Sequence, residues 1–217
     1  MTHAISGRSR RAALVQAREL ILDAAEALFA RKGLGPTTIK AIGAAARQNP
    51  ALLYYYFRNK EGLYRAVLHR LVSAMVARGG AALDASRSPA DAIRGLVRAQ
   101  VEFLLSHPNA PKLLVREMID HDARRAETLL LEVAAKLFDR LCRLIRLGQR
   151  QGHFRTDVEP RFAAISTVAQ CVYFTVARPA IGLFFGQGTR GVSARTARAF
   201  AHHAGEFAVA ALARSRR

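Results

Sequence analysis

Residues 37–60 place hydroxyl, amide and cationic side chains around two short helical patterns joined by a tight turn. Thr37 and Thr38 begin the first pattern, where exposed N–H groups and hydroxyls suit a phosphate oxygen. Lys60 begins the next helix and is expected to meet backbone phosphate. Arg47 and Gln48 occupy the turn. The second pattern, Asn49 to Tyr56, is predicted to be a recognition helix whose N-terminal residues, Asn49, Pro50, Ala51 and Leu52, lie nearest the base edges.

Three adjacent tyrosines occupy the second pattern. Leu53 and Phe57 lie four residues apart and predict its buried face, so Tyr54 and Tyr56 fall largely outward. Three neighbouring tyrosines cannot all be buried, and at least one hydroxyl should reach solvent or a ligand. We predict that Tyr54, Tyr55 and Tyr56 belong to a nucleic-acid surface. Core packing is the alternative, and it is strongest for Tyr55.

The formal net charge of +18 favours a polyanionic partner. Residues 1–60 carry ten Lys and Arg against three acids, and residues 161–217 carry eight against one. Residues 1–12 are predicted to be a flexible basic arm, with Arg8, Arg10 and Arg11 adding phosphate or minor-groove contacts. A solvated surface that merely aids solubility is the alternative.

The elements that position these residues are all predicted to be helical, because no strand alternation or hairpin signal is present. About nine helices are expected. Asn49 is a good N-cap and Pro50 suits the first helical position. Ser88 and Asp91 resemble a capping box. The predicted helices begin near Ala13, Thr37, Asn49, Asn59, Ser88, Ala110, Leu130, Pro160 and Ser193.

The last two predicted helices differ in character. The helix from about Pro160 to Phe185 is apolar almost all round, which predicts burial in a core or between subunits. Cys142 and Cys171 lie in apolar patterns, so buried thiols are expected rather than a disulfide or a metal pair. No signal peptide or span of about 20 apolar residues is evident, which predicts a cytoplasmic protein without a membrane partner.

Three segments carry a family resemblance: RELILDAAEALFARKG, TTIKAIGAAA and LLYYYFRNKEGLY. Together they resemble the DNA-binding domain of TetR-family bacterial transcription regulators. The resemblance implies an all-α fold, with an N-terminal helix–turn–helix domain before a helical ligand-binding and dimerisation domain. The expected division is an arm at 1–12, a DNA-binding domain at 13–74 with its motif at 37–56, and a second domain at 75–217.

The resemblance also implies partners. In the family, the positions of Thr37, Thr38, Tyr54, Tyr56 and Lys60 contact phosphates, and those of Gln48 to Leu52 approach bases. A homodimer formed through the last two helices binds a palindromic operator, and an unknown small effector releases the DNA. Repression rests on the family alone.

The chain departs from the family where base readout is expected. Arg47 stands where glycine is common, which costs about 1 kcal/mol if the turn is left-handed. Gln48 replaces an apolar residue, and Ala51–Leu52 replaces Gly-Thr. We hypothesise that Leu52 contacts a thymine methyl and that Arg47 adds a phosphate or base contact.

The C-terminal segments HPNAPKLLVREMID and AQCVYFTVARPAIGLFF resemble the ligand domain of CecR-like regulators, which are linked to drug sensitivity. A pocket is expected to mix apolar walls with a few polar anchors. Its candidates are Phe103, Met118, His121, Gln170, Tyr173, Phe174 and Arg178. Core packing and dimer contacts are the alternative for each of them.

The sequence leaves three other functions open to comparison, a metal site, an enzyme and a membrane-surface protein. His121 lies between Asp120 and Asp122, but no further ligand stands at metal spacing, so an exposed helix end is predicted. No catalytic signature appears, so neither an enzyme nor a cofactor is expected. A helical small-molecule-binding protein or enzyme with a vestigial DNA-binding domain is the alternative, and a membrane-surface protein with basic amphipathic helices is a third.

Overall fold

The computed structural model describes the backbone of residues 3–85 and 88–214 and the side chains of residues 11–85 and 88–214. Throughout this part of the chain the regular structure is helical, which confirms the predicted all-α class. A π-helical segment, Leu130–Ala134, joins the seventh and eighth helices. The helices are α1 (His3–Lys32), α2 (Ile39–Ala46), α3 (Pro50–Phe57), α4 (Lys60–Asp84), α5 (Pro89–Ser106), α6 (Ala110–His121), α7 (Glu127–Leu129), α8 (Ala135–Arg150), α9 (Pro160–Val176), α10 (Arg178–Phe184) and α11 (Ala194–Leu212).

Side-chain caps set several helix starts where the sequence predicted them. The Asn49 side chain accepts the N–H of Ala51, and Pro50 follows at the first position of α3. The Ser88 hydroxyl oxygen accepts the N–H of Asp91 at the start of α5. Each cap satisfies a backbone donor that lacks an intrahelical acceptor, and this fixes the register of the helix behind it.

The first helix begins earlier than expected. The backbone of residues 3–12 is helical, so α1 replaces the predicted flexible arm over these residues. Arginine and alanine are good helix formers and no proline interrupts the segment, so helical propensity outweighs the repulsion between its cations. Met1 and Thr2 lie outside the described residues, as do the side chains of Arg8 and Arg10, and the contacts expected of them stay predictions.

The predicted helix from 160 to 185 is two helices. α9 ends at Val176 and α10 begins at Arg178, with a bend of 78° between them. Pro179 explains the break, because its ring lacks an N–H and clashes with the preceding turn. No single helix within the described ranges is long and apolar enough to cross a membrane, although α9 and α10 together reach that length and composition.

The chain divides into two compact units, one of Met1–Leu71 with Lys112–Ala126 and one of Val72–Pro111 with Glu127–Arg217. The break within α4 lies close to the predicted boundary at residue 74. The assignment of 112–126 to the first unit was not anticipated.

Contacts of α6 explain that assignment. The buried Glu117 carboxylate accepts the N–H groups of Arg125 at 2.8 Å and Ala126 at 3.2 Å. The Tyr64 ring stacks edge-on against both Phe29 and His121. Burial, together with the negative charge of Glu117, raises the pKa of the Tyr64 hydroxyl far above its usual value. Most of α6, from Lys112 onward, therefore belongs to the first unit.

The second unit is built on α5 and α11. Ile93, Val97 and Leu104 are buried on α5, and α11 faces it with small residues. A Cβ added to Gly205 would lie 3.3 Å from the Cα of Arg94, so the two helices approach closely. Cys142 and Cys171 are free and buried, as predicted, and burial raises the pKa of the Cys171 thiol to about 12.

Candidate nucleic-acid interface

The turn between α2 and α3 is left-handed. Arg47 has φ 53° and ψ 41°, the conformation in which a non-glycine residue is strained. Its N–H donates to the Ala44 carbonyl at 3.2 Å, and that of Gln48 donates to the Gly43 carbonyl at 2.9 Å. These bonds pair two of the last carbonyl groups of α2. Arg47 therefore ends the helix in the left-handed conformation that glycine ordinarily adopts at this position.

Gly43 allows the turn and the start of α3 to pack closely against α2. A Cβ at this position would meet the Gln48 carbonyl oxygen at 3.0 Å and the Pro50 Cγ at 3.4 Å. A larger residue would push α3 away from α2. The α2–turn–α3 geometry therefore requires the absence of a side chain at Gly43 as well as the strained conformation of Arg47.

The inward face of α3 is the one the sequence predicted. Leu53 and Phe57 are buried, and the Arg18 guanidinium lies 5.4 Å from the centre of the Phe57 ring. Tyr54 and Tyr55 are 55% and 74% exposed, which rules out core packing for Tyr55 within this chain. Two tyrosine hydroxyls on α3 are accordingly free to meet a partner.

Tyr56 and Lys60 have structural contacts that the sequence did not reveal. The Tyr56 hydroxyl donates to the Leu14 carbonyl at 2.9 Å and ties α3 to α1. The Lys60 ammonium donates to the Gly35 carbonyl at 2.9 Å, in the loop that precedes α2. An ammonium has three donors, so Lys60 keeps two for a phosphate. Tyr56 and Lys60 therefore hold α3 and the start of α4 against α1 and the loop before α2, in addition to being candidates for contact with DNA.

Thr37 does not belong to the exposed surface. It is 1% exposed, and its hydroxyl donates to the Gly33 carbonyl at 2.7 Å. The hydroxyl predicted to contact phosphate instead closes the end of α1. Thr38 is exposed and caps α2 by accepting the N–H of Ala41, and its hydroxyl proton remains free to donate.

The remaining candidates form one continuous surface in sequence and structure. Gln48, Leu52, Tyr56 and Lys60 are half-buried within it. Its fully exposed members from the sequence prediction are Thr38, Arg47, Asn49, Pro50, Ala51, Tyr54 and Tyr55.

Two exposed cations of this surface, Lys40 and Arg58, were missed by the sequence reasoning. The signal was present, since residues 37–60 contain no Asp or Glu. The three acids of α1, Glu19, Asp23 and Glu26, form ion pairs with Arg70 at 3.3, 2.7 and 2.7 Å. The surface is therefore a field of uncompensated positive charge suited to phosphate.

The seven predicted ligand-pocket residues are divided between the two units. Met118 and His121 belong to the first unit and the other five to the second. Phe103 is buried and stacks on His107, and Phe174 is buried and stacks on Phe200. These two are core residues, as the alternative interpretation held.

The other three are surface or anchoring residues. Tyr173 is 72% exposed. The Gln170 amide donates to the Ala204 carbonyl and the Arg178 guanidinium donates to the Val192 carbonyl. Over the described ranges, no group of three or more His, Cys, Asp or Glu side chains, His121 included, is arranged to hold a metal ion.

The second unit contains a different cavity of about 150 Å³. Gln100 is its one polar lining residue, and no hydrogen bond of its buried side chain occurs among the described residues. The sequence did not reveal this site, because its walls come from α4, α5, the π-helical segment, α8 and α9. They are Met75, Val76, Gly79, Leu96, Gln100, Ala134, Leu137, Phe138, Leu141 and Val168.

Two family models match the chain. Residues 21–67 match bacterial regulatory proteins of the tetR family, and residues 89–204 match a tetracyclin repressor-like C-terminal domain. The HTH-type transcriptional repressor NicS of Pseudomonas putida is 29% identical over 170 residues, covering 77% of this chain and 79% of NicS. The repressor KstR2 of Mycobacterium tuberculosis is 25% identical over 140 residues, covering 64% and 70%.

Solved structures share the fold. The ketosteroid regulator KstR2 of Mycobacterium tuberculosis has a TM-score of 0.69 at 19% identity, over 91% of this chain and 95% of that one. The fatty acid degradation regulator FadR of Bacillus halodurans has a TM-score of 0.71 at 16% identity, over 89% and 94%. The narrower resemblance to CecR-like regulators stays a prediction.

Replacing Arg47 by glycine tests the strain in the turn. We expect the Arg47→Gly variant to be more stable by up to about 1 kcal/mol, because glycine adopts the left-handed conformation without penalty. The measurement is urea unfolding followed by circular dichroism. Arg65→Gly, which removes the same exposed side chain from the interior of α4, should destabilise by about the same amount. Destabilisation by Arg47→Gly would contradict the assignment.

Proposed function

The chain belongs to the tetR family of bacterial regulatory proteins, and on that premise we propose that it is a homodimeric repressor. It binds a palindromic operator and releases it when a small, mostly apolar effector occupies the second unit. DNA binding and transcription regulation follow from the family. Dimerisation, the operator symmetry, the effector and a cytoplasmic location are the proposed parts.

One observation carries the assignment of the DNA surface. α3 buries Leu53 and Phe57 and is bonded to α1 through Tyr56, so its opposite face projects from a fixed support. That face is exposed, free of acids and flanked by cations. A rigid helix of this kind is what the major groove admits, with its N-terminal residues nearest the bases.

The contacts divide into two classes. Lys40, Arg58 and Lys60, with the hydroxyls of Thr38 and Tyr54, are proposed to meet phosphate oxygens, which fixes the protein on the duplex. The base-reading group is the turn and the first residues of α3. Its residues are Arg47, Gln48, Asn49, Pro50, Ala51 and Leu52, and Leu52 is proposed to contact a thymine methyl.

An exposed apolar stripe supports dimerisation. On α9, Phe162, Ile165, Tyr173 and Val176 are exposed at helical spacing, and Phe162 is 70% exposed. Phe207 adds a 62% exposed aromatic ring on α11. A contiguous apolar stripe is costly in water and typical of an interface. A dimer formed through these helices would carry two α3 helices, one for each half-site of a palindromic operator, and such half-sites lie about 34–36 Å apart.

The cavity in the second unit supports an effector site. Its walls are apolar and its volume is close to that of a benzene-sized ligand. The Gln100 amide lines the cavity and forms no hydrogen bond to the described residues, so it favours an effector with one hydroxyl or carbonyl group that can pair with it. A π-helical segment contributes Ala134 to the wall, and such segments often occur at functional sites.

Release follows from linkage. An effector that binds the DNA-incompetent state of the dimer more tightly must lower the DNA affinity by the same factor. An effector that bound the DNA-competent and DNA-incompetent states equally tightly would not change the DNA affinity.

Substitutions in the two contact classes should behave differently on DNA. Lys60→Ala should weaken binding to all duplexes and lower the slope of log affinity against log salt by roughly one, because one phosphate contact is lost. Tyr56→Ala should also weaken all binding, since it releases α3 from α1. Leu52→Thr should instead change which sequences are bound. The measurements are fluorescence anisotropy and selection from random duplexes.

The control is Lys136→Ala, which removes an exposed cation of α8. It should leave operator affinity nearly unchanged.

Selection should enrich an inverted repeat. A sequence-selective loss with Lys60→Ala, or an unchanged preference with Leu52→Thr, would contradict these roles.

The oligomeric state tests the proposed interface. Phe162→Asp should convert the dimer to a monomer, because it buries a charge within the apolar stripe. Analytical ultracentrifugation measures this directly. Leu131→Asp places the same charge on an exposed leucine outside α9 and α11, and it should leave the dimer intact. A monomeric wild-type protein would overturn the interface.

Phenol and toluene test the cavity as probes of the effector class. Both should raise the melting temperature, since each binds only the folded protein. Phenol should bind more tightly because its hydroxyl pairs with Gln100. Gln100→Leu should abolish the preference for phenol while preserving toluene binding. If the wild-type protein and the Gln100→Leu variant preferred phenol over toluene to the same extent, Gln100 would not bind the polar group of the effector.

A further inference from the structure

We infer that the groove between α5 and α11 is a second ligand site, which binds a small organic anion with an apolar body. The groove lies within the second unit and has a volume of about 310 Å³. This volume lies at the lower end of the range for small-molecule sites. It is lined by Arg94, Arg98, Val101, Glu102, Leu105, Ala197, Arg198, Ala201, His202, Gly205 and Glu206.

The floor of the groove is apolar. Val101 on α5 is buried in one cluster with Ala201 of α11, and Leu105 packs against a second cluster that contains Ala197. The small residues of α11 let the two helices come close, so the longer side chains on either side stand up as walls. A hydrocarbon chain or ring laid along this floor would lose contact with water.

The acids of the groove are already neutralised. Glu206 accepts from Arg94 at 2.7 Å, and this guanidinium holds the pKa of Glu206 below its usual range. Glu102 accepts from Arg78 at 3.0 Å. Neither carboxylate is therefore the main partner of the two remaining arginines.

Arg98 and Arg198 are the uncompensated charges. Across the described parts of the chain, neither forms an ion pair, and Arg198 has only a 3.4 Å bond to the Ala194 carbonyl. His202 lies beside them in the groove wall. Guanidinium groups match the geometry of a carboxylate and bind it through paired hydrogen bonds. Two free guanidinium groups above an apolar floor thus select an amphiphilic carboxylate.

The groove is separate from the sites proposed above. None of its lining residues belongs to the cavity that contains Gln100. Arg198 and Phe207 are nine residues apart on α11, which places them on opposite faces of the helix. A ligand in the groove therefore neither fills the effector cavity nor covers the proposed dimer stripe.

Octanoate and 1-octanol are matched probes, because they share an apolar chain and differ in charge. Calorimetry at constant ionic strength should show saturable binding of one octanoate per chain and at least about tenfold weaker binding of 1-octanol. The double variant Arg98→Ala, Arg198→Ala should weaken octanoate binding at least about tenfold, since two charge-assisted contacts are lost. The control Arg143→Ala, Arg150→Ala removes the same charge from α8 and should leave octanoate affinity within about twofold.

A second measurement serves if the double variant folds poorly. In the wild-type protein, octanoate should shift the ring resonances of His202 and leave those of the exposed His153 unchanged. Unchanged octanoate affinity in a folded double variant, an equal loss in the α8 control, or a shifted His153 with an unmoved His202 would each overturn the site. Without octanoate, the Arg98→Ala, Arg198→Ala variant should bind DNA as tightly as the wild-type protein. A failure of the proposed groove site is therefore distinguishable from a failure of the proposed repressor function.

Discussion

Burial of Leu53 and Phe57 is the constraint on which the proposed DNA-binding surface depends. These two side chains fix the rotation of α3 about its own axis, and the 3.6-residue period then sets the direction of every other residue on the helix. The Tyr56 hydroxyl adds a bond to the backbone of α1, so the helix can neither rotate nor slide. The exposed tyrosines and the residues proposed to read bases acquire their geometry from these three contacts.

Charge is organised by pairing as much as by composition. The acids of α1 gather around Arg70, which leaves residues 37–60 with cations and no acid. The same principle operates in the second unit, where Arg78 and Arg94 occupy the carboxylates of the α5–α11 groove. In both places positive charge is left over once the ion pairs are formed, and this remainder is the feature that is proposed to bind an anionic partner.

The second unit shows how apolar surface is divided among three uses. Small residues on α11 allow close packing on α5 and form the core. Large residues on the outer side of α9 remain exposed in the single chain, which accounts for a helix that is apolar almost all round. A third set surrounds the cavity at Gln100, where packing is left incomplete. The packed core, the stripe proposed for association and the walls of the proposed effector cavity thus consist of the same kinds of apolar residue and differ in the direction that the side chains face.

The sequence by itself determined the helical class, the caps at Asn49 and Ser88, the inward face of α3 and the family, because these depend on contacts within a few residues or on a local motif. It did not determine the burial of Thr37, the bond of Lys60 to Gly35, the place of residues 112–126 or the residues around the cavity. Those depend on partners that are distant in the chain, and helical periodicity reports which face is apolar without reporting what it meets. The predicted pocket residues stay a prediction for the same reason: residue type within each helix indicates which side chains suit a pocket, while packing between helices decides which of them converge.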